Sequence, residues 1–403
     1  MASINPHLPI SELQAGLISG KWTSVDLVEA YLARIAQFKH YNAMIFVKDR
    51  QSLLFEAALL DKERSSLVET KILHGIPVVI KDNICTSDMP TTVGTLSLKN
   101  AESGFDAEIV RRLRNAGAII IGKANMSEFF HFCDNYLLSG WSCMGGQTLN
   151  AISGSAHPGG SSSGSACAAA LGLAAATIGS ETEGSIIIPS MNQSVVGIKP
   201  SRGLCSSSGT IPISTTFDVL GPICRNVEDA AAMLEVISEE DIKFTKLHAF
   251  NIRGARAGIT LNHGSSLNSN DSAHVAYHFA SFVFNSLRDL GCVVLHNDVV
   301  SDGVLSSHSY NTIKDLAESI GKDYAFVLGC ELKDGIGKML SKFSNIPSGV
   351  NDLKSLVEFN KQNPESLNPL ISDQENLLNV DKTGGFNDPN RDRWVSYYLY
   401  SSG

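Results

Sequence analysis

Two short apolar runs with a helical pattern between them most constrain the fold of this chain. Residues 76–81 (IPVVIK) and 117–122 (GAIIIG) are each the length of one buried strand, and residues 105–116 between them fit a helix. A strand, a helix and a second strand in that order favour a parallel or mixed sheet covered by helices. The alternation recurs later, with strands predicted at 257–261 and 292–296 and a helix at 272–290. The sequence therefore predicts an α/β fold.

Helical patterns also mark the start of the chain and its most apolar stretch. Helices are predicted at residues 11–19 and 24–38, the second opened by Thr23-Ser24 as an N-cap. The stretch Ala166–Ile178 is shorter than the ~20 residues that span a bilayer, and is predicted to be one buried helix. Because no repeat or linker divides the 403 residues, a single domain over residues 1–403 is expected.

A passage dense in glycine and serine, from Gly159 to Pro200, carries the side chains best suited to chemistry. It places Ser161 and Ser185 in two glycine-rich turns. Upstream, Lys81 ends an apolar run, where burial disfavours the charged form of an amine. A serine hydroxyl needs a base within hydrogen-bond reach to act as a nucleophile, and a neutral lysine can be that base directly or through a relay. These residues therefore predict acyl transfer.

These stretches together resemble the amidase signature family, whose members hydrolyse amides, and some esters, with a Ser-Ser-Lys triad. The resemblance runs from about residue 10 to 235, with its signature core at about 60–235, and includes KANMSEFF at 123–130 and KPSRG at 199–203. It implies an α/β/α fold, in which a mixed central β-sheet is covered by helices on both faces. It also implies an amidase that acts on linear amides.

The resemblance assigns a role to each residue of the triad. Lys81 stands at the position of the catalytic lysine, Ser185 at that of the nucleophile that forms the acyl-enzyme, and Ser161 at that of the bridging serine. The 24 residues from Ser161 to Ser185 favour Ser161 over Ser162 as the bridging residue. In the family, this serine is held by a cis peptide bond and relays protons.

The turn Thr182-Glu183-Gly184-Ser185 is the expected oxyanion-binding element. Backbone N–H groups stabilise the oxyanion of a tetrahedral intermediate, and glycine lets a substrate approach the backbone closely. Glu183 stands where most of the family has glycine, and Ile187 where it has arginine. An acidic residue occurs at the first position in part of the family, so Glu183 does not argue against activity. The change at Ile187 is interpreted as structural variation.

Several nearby residues have both a structural and a functional interpretation. Phe130 and Ser162 are candidates for the pocket wall, although a core role suits Phe130 equally well. A histidine-based triad at His157 or His74 is not favoured, because His157 is better explained as an exposed loop residue and the role of His74 is similarly ambiguous. A structural role is favoured for three residues of the KANMSEFF stretch: Asn125, Met126 and Glu128.

Composition excludes several other classes of function. A net charge of −9 without long basic runs predicts no binding of nucleic acid or of an anionic membrane. The eight cysteines include no CxxC pair and no zinc-finger spacing, so they are predicted to be reduced thiols, with no metal site and no cofactor. The start, MASINPHLPISELQ, lacks the features of a secretory signal, and a cytoplasmic location is expected. The expected partner is a small-molecule amide, and a homodimer is left open.

Two alternatives to a self-sufficient amidase remain. Beyond about residue 300 the resemblance becomes diffuse, and residues 375–403 show no helix or strand pattern. Family members usually continue further, so the C-terminal part is interpreted as divergent or truncated. One alternative is therefore a non-catalytic, C-terminally truncated amidase-like protein. The other is a glutamine-hydrolysing A-type subunit of a tRNA amidotransferase, which releases ammonia for a partner. The identity of the amide substrate stays open.

Overall fold

The structure is a computed structural model that describes residues 4–68, 70–133, 137–249, 251–258, 282–295, 307–347, 349–367 and 374–391. Its first eight strands are β1 (Met44–Val47), β2 (Pro77–Lys81), β3 (Ile119–Ala124), β4 (Trp141–Ser142), β5 (Gly146–Gln147), β6 (Ala176–Glu181), β7 (Val196–Gly197) and β8 (Val219–Cys224). Six of these form one sheet in the order β1-β3-β2-β6-β8-β7. Strand β2 is parallel to both β3 and β6, whereas β1, β7 and β8 run antiparallel to their neighbours. The predicted mixed central sheet is therefore confirmed.

Helices before and between the strands pack against this sheet. They are α1 (Ile10–Ile18), α2 (Ser24–Gln37), α3 (Arg50–Arg64), α4 (Glu108–Asn115), α5 (Ser163–Leu171), α6 (Ile187–Asn192) and α7 (Val227–Ile237). Three further helices follow at Ser307–Leu340, Leu353–Gln362 and Glu375–Asp381. No helix in the described ranges combines the length and the apolar character needed to cross a membrane. The α/β class and the helix-covered sheet agree with the sequence prediction.

The strand–helix–strand unit and the two N-terminal helices form where the sequence predicted them. Helix α4 connects the parallel strands β2 and β3, which are buried along their whole length. At the start of α2, the Thr23 side chain accepts a hydrogen bond from the Asp26 amide at 3.1 Å, and the Asp26 carboxylate accepts one from the Thr23 amide at 2.8 Å. This reciprocal cap satisfies two donors that the first turn of a helix leaves unpaired.

The prediction of a single helix over Ala166–Ile178 is wrong in its second half. Helix α5 ends at Leu171, because Gly172 takes a left-handed conformation with φ of 65° and closes it. The chain then turns into β6, whose ATIGSE sequence lies between β2 and β8. An alanine-rich apolar run has no periodicity that separates a buried helix from a buried strand, so only the glycine marked the boundary.

The chain forms two compact units, residues 1–245 with 325–403, and residues 246–324. The six-stranded sheet lies in the first. In the second, strands Arg256–Gly258 and Val293–Leu295 pair in parallel, and residues 282–289 are helical. These agree with the predicted alternation, while residues 259–281 and 296 of that prediction lie outside the described residues. The single domain over residues 1–403 stays a prediction.

The segment from residue 375 contains a helix that the sequence pattern did not indicate. Helix Glu375–Asp381 is only seven residues long and buries Leu377 and Val380. Two buried positions are too few to establish a period of 3.6 residues, which explains why the pattern did not indicate it.

The close packing of α5 on the end of β3 yields a stability prediction. A Cβ at Gly164 would lie 2.4 Å from the backbone N and O of Asn125 and 2.5 Å from Ala43 O. Backbone atoms cannot rotate away, so we expect Gly164→Ala to lower the free energy of unfolding by about 1–3 kcal/mol in urea titration. The matched control is Gly154→Ala, where nothing lies within 4 Å. Equal stability of the two variants would contradict this account of the packing.

Candidate active site

Lys81 lies at the carboxyl end of β2 with its amine turned into the protein. The side chain has 0% exposure, and Nζ donates hydrogen bonds to Ser161 Oγ at 2.8 Å and to Ser180 O at 3.1 Å. The ring of Phe130 is centred 5.6 Å from Nζ. Burial lowers the pKa of Lys81 to about 7, although the charges of Asp218 and Glu181 act in the opposite direction. A large fraction of this amine is therefore neutral near pH 7.

Two serine hydroxyls continue from the lysine in a line. Ser161 Oγ donates to Ser185 Oγ at 2.9 Å, and the Gly160–Ser161 peptide bond is cis. The backbone also joins the two serine-bearing turns, because the Ser162 amide donates to Ser185 O at 3.1 Å. The structure thus joins Lys81, Ser161 and Ser185 by consecutive hydrogen bonds, and this set of three side chains is called the serine chain below. Ser185, which is 8% exposed, lies at its outer end.

Glu181, the last residue of β6, organises the turn that carries Ser185. Its carboxylate accepts hydrogen bonds from the amides of Gly184 at 2.7 Å, Ile186 at 2.6 Å and Ile187 at 3.0 Å. Burial would raise the pKa of Glu181, but these amides and the ammonium of Lys199 outweigh it and hold that pKa below its usual value. Glu181 is therefore ionised at neutral pH and fixes the backbone on both sides of Ser185.

The amides of the predicted oxyanion turn fall into two groups. Gly184, which has φ of 74°, gives its N–H to Glu181. The amides of Glu183 and Ser185 donate no hydrogen bond to any other described residue. The Glu183 side chain is exposed, so it does not fill the turn. The N–H groups of Glu183 and Ser185 are thus available to a ligand beside Ser185 Oγ.

Thr182, the first residue of this turn, is bound to a second carboxylate. Its Oγ1 donates to Asp218 Oδ1 at 2.6 Å. Burial raises the pKa of Asp218 to about 6, while hydrogen bonds and Lys81 act against that shift. Neither Asp218 nor Glu181 was assigned to the site from the sequence. The only signals in the sequence were that Glu181 ends one buried strand, β6, and that Asp218 directly precedes another, β8.

The remaining predicted residues lie behind or beside the serine chain. Ser162 is fully buried, and its hydroxyl donates to Ser180 O at 3.1 Å. Phe130, 7% exposed, is the middle of three consecutive residues with left-handed φ, at 43°, 59° and 78°.

Burial raises the pKa of nearby Glu128 to about 8, so this carboxyl is mostly neutral at pH 7. Its Oε2 accepts a hydrogen bond from the Cys143 amide at 2.7 Å.

Neither of the two candidate histidines bonds to the serine pair. His157 is exposed, and its Nδ1 accepts a hydrogen bond from the Gly159 amide at 3.0 Å. His74 is buried and lies just before the start of β2, whereas Lys81 ends that strand; its Nε2 is 3.6 Å from Glu63 Oε2. The only base bonded to the serine chain in the described residues is Lys81.

A family model described as amidase matches residues 26–267, more than half of the chain. The chain belongs to the amidase family. A probable amidase of Arabidopsis thaliana is 34% identical over 395 residues, covering 93% of this chain and 72% of that protein. The crystal structure of a peptide amidase from Stenotrophomonas maltophilia superposes with a TM-score of 0.83 at 33% identity, covering 98% of this chain and 79% of that one. The predicted amidase signature fold is therefore confirmed, and family and fold support hydrolysis of an amide C–N bond.

A further relative of this chain has a different name. The A-type subunit of the glutamyl-tRNA(Gln) amidotransferase of Symbiobacterium thermophilum is 40% identical over 235 residues, covering 58% of this chain and 47% of that protein. The chain spans between 42% and 72% of the length of the first three curated relatives it matches. The activity of the whole protein is accordingly a proposal.

Proposed function

We propose that this amidase hydrolyses carboxylic acid amides through an acyl-enzyme on Ser185, with Lys81 as general base and Ser161 as relay. The observation that carries the proposal is the line of contacts from Lys81 Nζ to Ser161 Oγ at 2.8 Å and on to Ser185 Oγ at 2.9 Å. Both separations lie within the range for proton transfer. A pKa of about 7 supports the lysine as a base at neutral pH.

Acylation begins with attack by Ser185 Oγ on the amide carbonyl carbon. When the Lys81 amine is neutral, the hydroxyl hydrogens can rotate so that Ser185 donates to Ser161 and Ser161 donates to Lys81. The proton of Ser185 then passes to Ser161 Oγ, while the Ser161 proton passes to the Lys81 amine, so Ser161 is unchanged overall. The carbonyl oxygen becomes an oxyanion that the amides of Glu183 and Ser185 can stabilise, and one such donor typically contributes ~3 kcal/mol. When the C–N bond breaks, Lys81 returns its proton through Ser161 to the leaving nitrogen, which departs as a neutral amine or ammonia.

Deacylation uses the same groups in the reverse direction. Water attacks the ester carbon of the acyl-enzyme and gives its proton through the relay to Lys81. The carbon–oxygen bond to Ser185 then breaks, and Ser185 regains a proton through Ser161 from Lys81. The carboxylic acid leaves, and the amine of Lys81 is neutral again. The likeness to a peptide amidase favours linear amides as substrates.

Labelling with a fluorophosphonate probe tests this proposal without knowledge of the substrate. We expect the wild-type protein to form a covalent adduct at Ser185, and Ser185→Ala and Lys81→Ala to lose labelling. The matched control is Ser163→Ala, because Ser163 is fully buried and its hydroxyl has no hydrogen-bond partner in the described chain. Absence of labelling in folded wild-type protein would reject the hydrolase and favour the non-catalytic alternative.

The second candidate is the glutamine-hydrolysing A-type subunit of a tRNA amidotransferase. It is favoured by the 40% identity over 235 residues to such a subunit. Release of ammonia from glutamine only after addition of copurifying proteins would support it. Hydrolysis of simple amides by the chain alone, without glutaminase activity, would exclude it.

A further inference from the structure

Asp218 connects the turn that carries Ser185 to the loop at residues 213–218. We propose that Asp218 is a positioning residue that holds the Thr182–Ser185 turn and adds negative charge to the surroundings of Lys81. This inference rests on the proposed function, since it concerns how the serine chain is held and activated.

Both carboxylate oxygens of Asp218 have defined partners. Oδ1 accepts from Thr182 Oγ1 at 2.6 Å, while Oδ2 accepts from the amides of Ile213 at 2.9 Å and Ser214 at 3.0 Å. Hydrogen bonds to an ionised acceptor are about twice as strong as neutral ones. Asp218 therefore fixes Thr182, which lies three residues before Ser185, relative to the 213–218 loop.

The 213–218 loop is itself anchored by a second buried carboxylate. Glu331, on helix Ser307–Leu340, has 0% exposure and accepts from Ser214 Oγ at 2.5 Å, Thr216 Oγ1 at 2.6 Å and the Thr216 amide at 3.1 Å. Arg391 lies 2.5 Å from the same carboxylate and compensates its charge. Because these contacts with Glu331 restrain the 213–218 loop, they also restrain Asp218, which binds Thr182.

The charge of Asp218 also acts on the candidate base. Asp218 and Glu181 are the carboxylates that raise the pKa of Lys81 against the larger effect of burial. Glu181 is in addition paired with Lys199 at 3.2 Å, which offsets part of its charge. Removing the negative charge of Asp218 disfavours the protonated amine, so the pKa of Lys81 falls and the neutral base persists to lower pH.

Two substitutions separate the effect of the Asp218–Thr182 hydrogen bond from the effect of the Asp218 charge on Lys81. The second-order rate of fluorophosphonate labelling is measured from pH 5 to 9 for wild type, Asp218→Asn and Thr182→Val. We expect Thr182→Val to lower the plateau rate about tenfold or more, with a midpoint closer to that of wild type than the midpoint of Asp218→Asn, because the Asp218 carboxyl group stays in place. We expect Asp218→Asn to lower the plateau similarly and to shift the midpoint to lower pH by at least about half a unit.

Two further variants distinguish positioning from a general loss of structure. Thr182→Ser keeps the hydroxyl, so it should recover much of the labelling rate that Thr182→Val loses. The double variant Asp218→Asn/Thr182→Val should show a plateau no lower than the worse single variant, because both changes break one contact. Thermal unfolding followed by circular dichroism identifies any variant that is not folded, and Thr182→Val provides the decisive comparison if Asp218→Asn fails to fold.

The outcomes separate failure of this inference from failure of the proposed function. If wild type labels but Thr182→Val labels at the same rate, or a folded Asp218→Asn keeps the wild-type midpoint, the inference is overturned while the serine chain stands. If folded wild type does not label at all, the proposed function fails and the inference fails with it.

Discussion

Replacing Lys81 with methionine is expected to lower kcat/KM for an amide substrate by about 10²–10⁴-fold, the usual contribution of a general base. Methionine has nearly the length of the lysine stem and lacks an amine, so it removes the base and leaves the surrounding apolar packing in place. Because Lys81 is buried with 0% exposure, the variant also relieves the cost of a buried amine. Its stability should therefore equal or exceed that of wild type.

The pH profile of the wild-type enzyme tests the same role from the other direction. Burial lowers the pKa of Lys81 to about 7, and only the neutral amine can accept a proton. We expect kcat/KM to rise about tenfold from pH 6 to a plateau above about pH 8, as the neutral fraction grows from roughly a tenth to nearly one. The residual activity of Lys81→Met should lack this rise. A profile with the same midpoint in both proteins would show that another group titrates.

The sequence predicted the triad residues because each lies in a recognisable local motif. Lys81 ends an apolar strand, and Ser161 and Ser185 stand in glycine-rich turns 24 residues apart. The structure brings these side chains together, while their catalytic roles stay predictions. The mixed sheet was also predictable, since β2 and β3 are short, fully buried runs on either side of a helix.

The distant groups that contact the loops near Lys81, Ser161 and Ser185 were not predictable in the same way. Glu331 meets Ser214 across 117 positions of sequence, and Asp218 meets Thr182 across 36. A single sequence carries no signal for which distant carboxylate satisfies which loop, because many acidic residues fit any one loop equally well. The boundary between α5 and β6 was not predicted, for a local reason. The residues on both sides of Gly172 are apolar, so the sequence does not show the change from the helical to the strand period.

Breaking the buried ion pair between Asp82 and Lys123 is expected to destabilise the fold more than Gly164→Ala or any change in the serine chain. Both side chains have 0% exposure, and Lys123 Nζ lies 3.6 Å from Asp82 Oδ1. Burial raises the pKa of Asp82 and lowers that of Lys123, and each charge opposes the shift of the other. Removing one partner leaves the other charge uncompensated in the interior, which costs about 3–5 kcal/mol.

The pair also connects the strand of Lys81 to a neighbouring loop. Lys123 Nζ donates to Ile84 O at 2.5 Å and to Thr91 Oγ1 at 2.9 Å. Asp82 Oδ2 accepts from the amides of Thr92 at 3.1 Å and Gly94 at 3.4 Å. Since Asp82 directly follows Lys81, loss of the pair is expected to disturb the position of the lysine amine as well as the stability of the sheet.

Urea titration of Lys123→Met, Asp82→Asn and the double variant measures this effect. We expect each single variant to lose about 3–5 kcal/mol, and the double variant to lose clearly less than their sum, because it leaves no unpaired charge. The matched control is Lys243→Met, which removes an exposed lysine paired with Asp241 at 3.1 Å and with Glu235 at 3.5 Å, and should leave the unfolding midpoint nearly unchanged. If the double variant loses the sum of the two single losses in free energy of unfolding, the two side chains act independently. Packing around each side chain, rather than the attraction between their charges, would then stabilise this part of the protein.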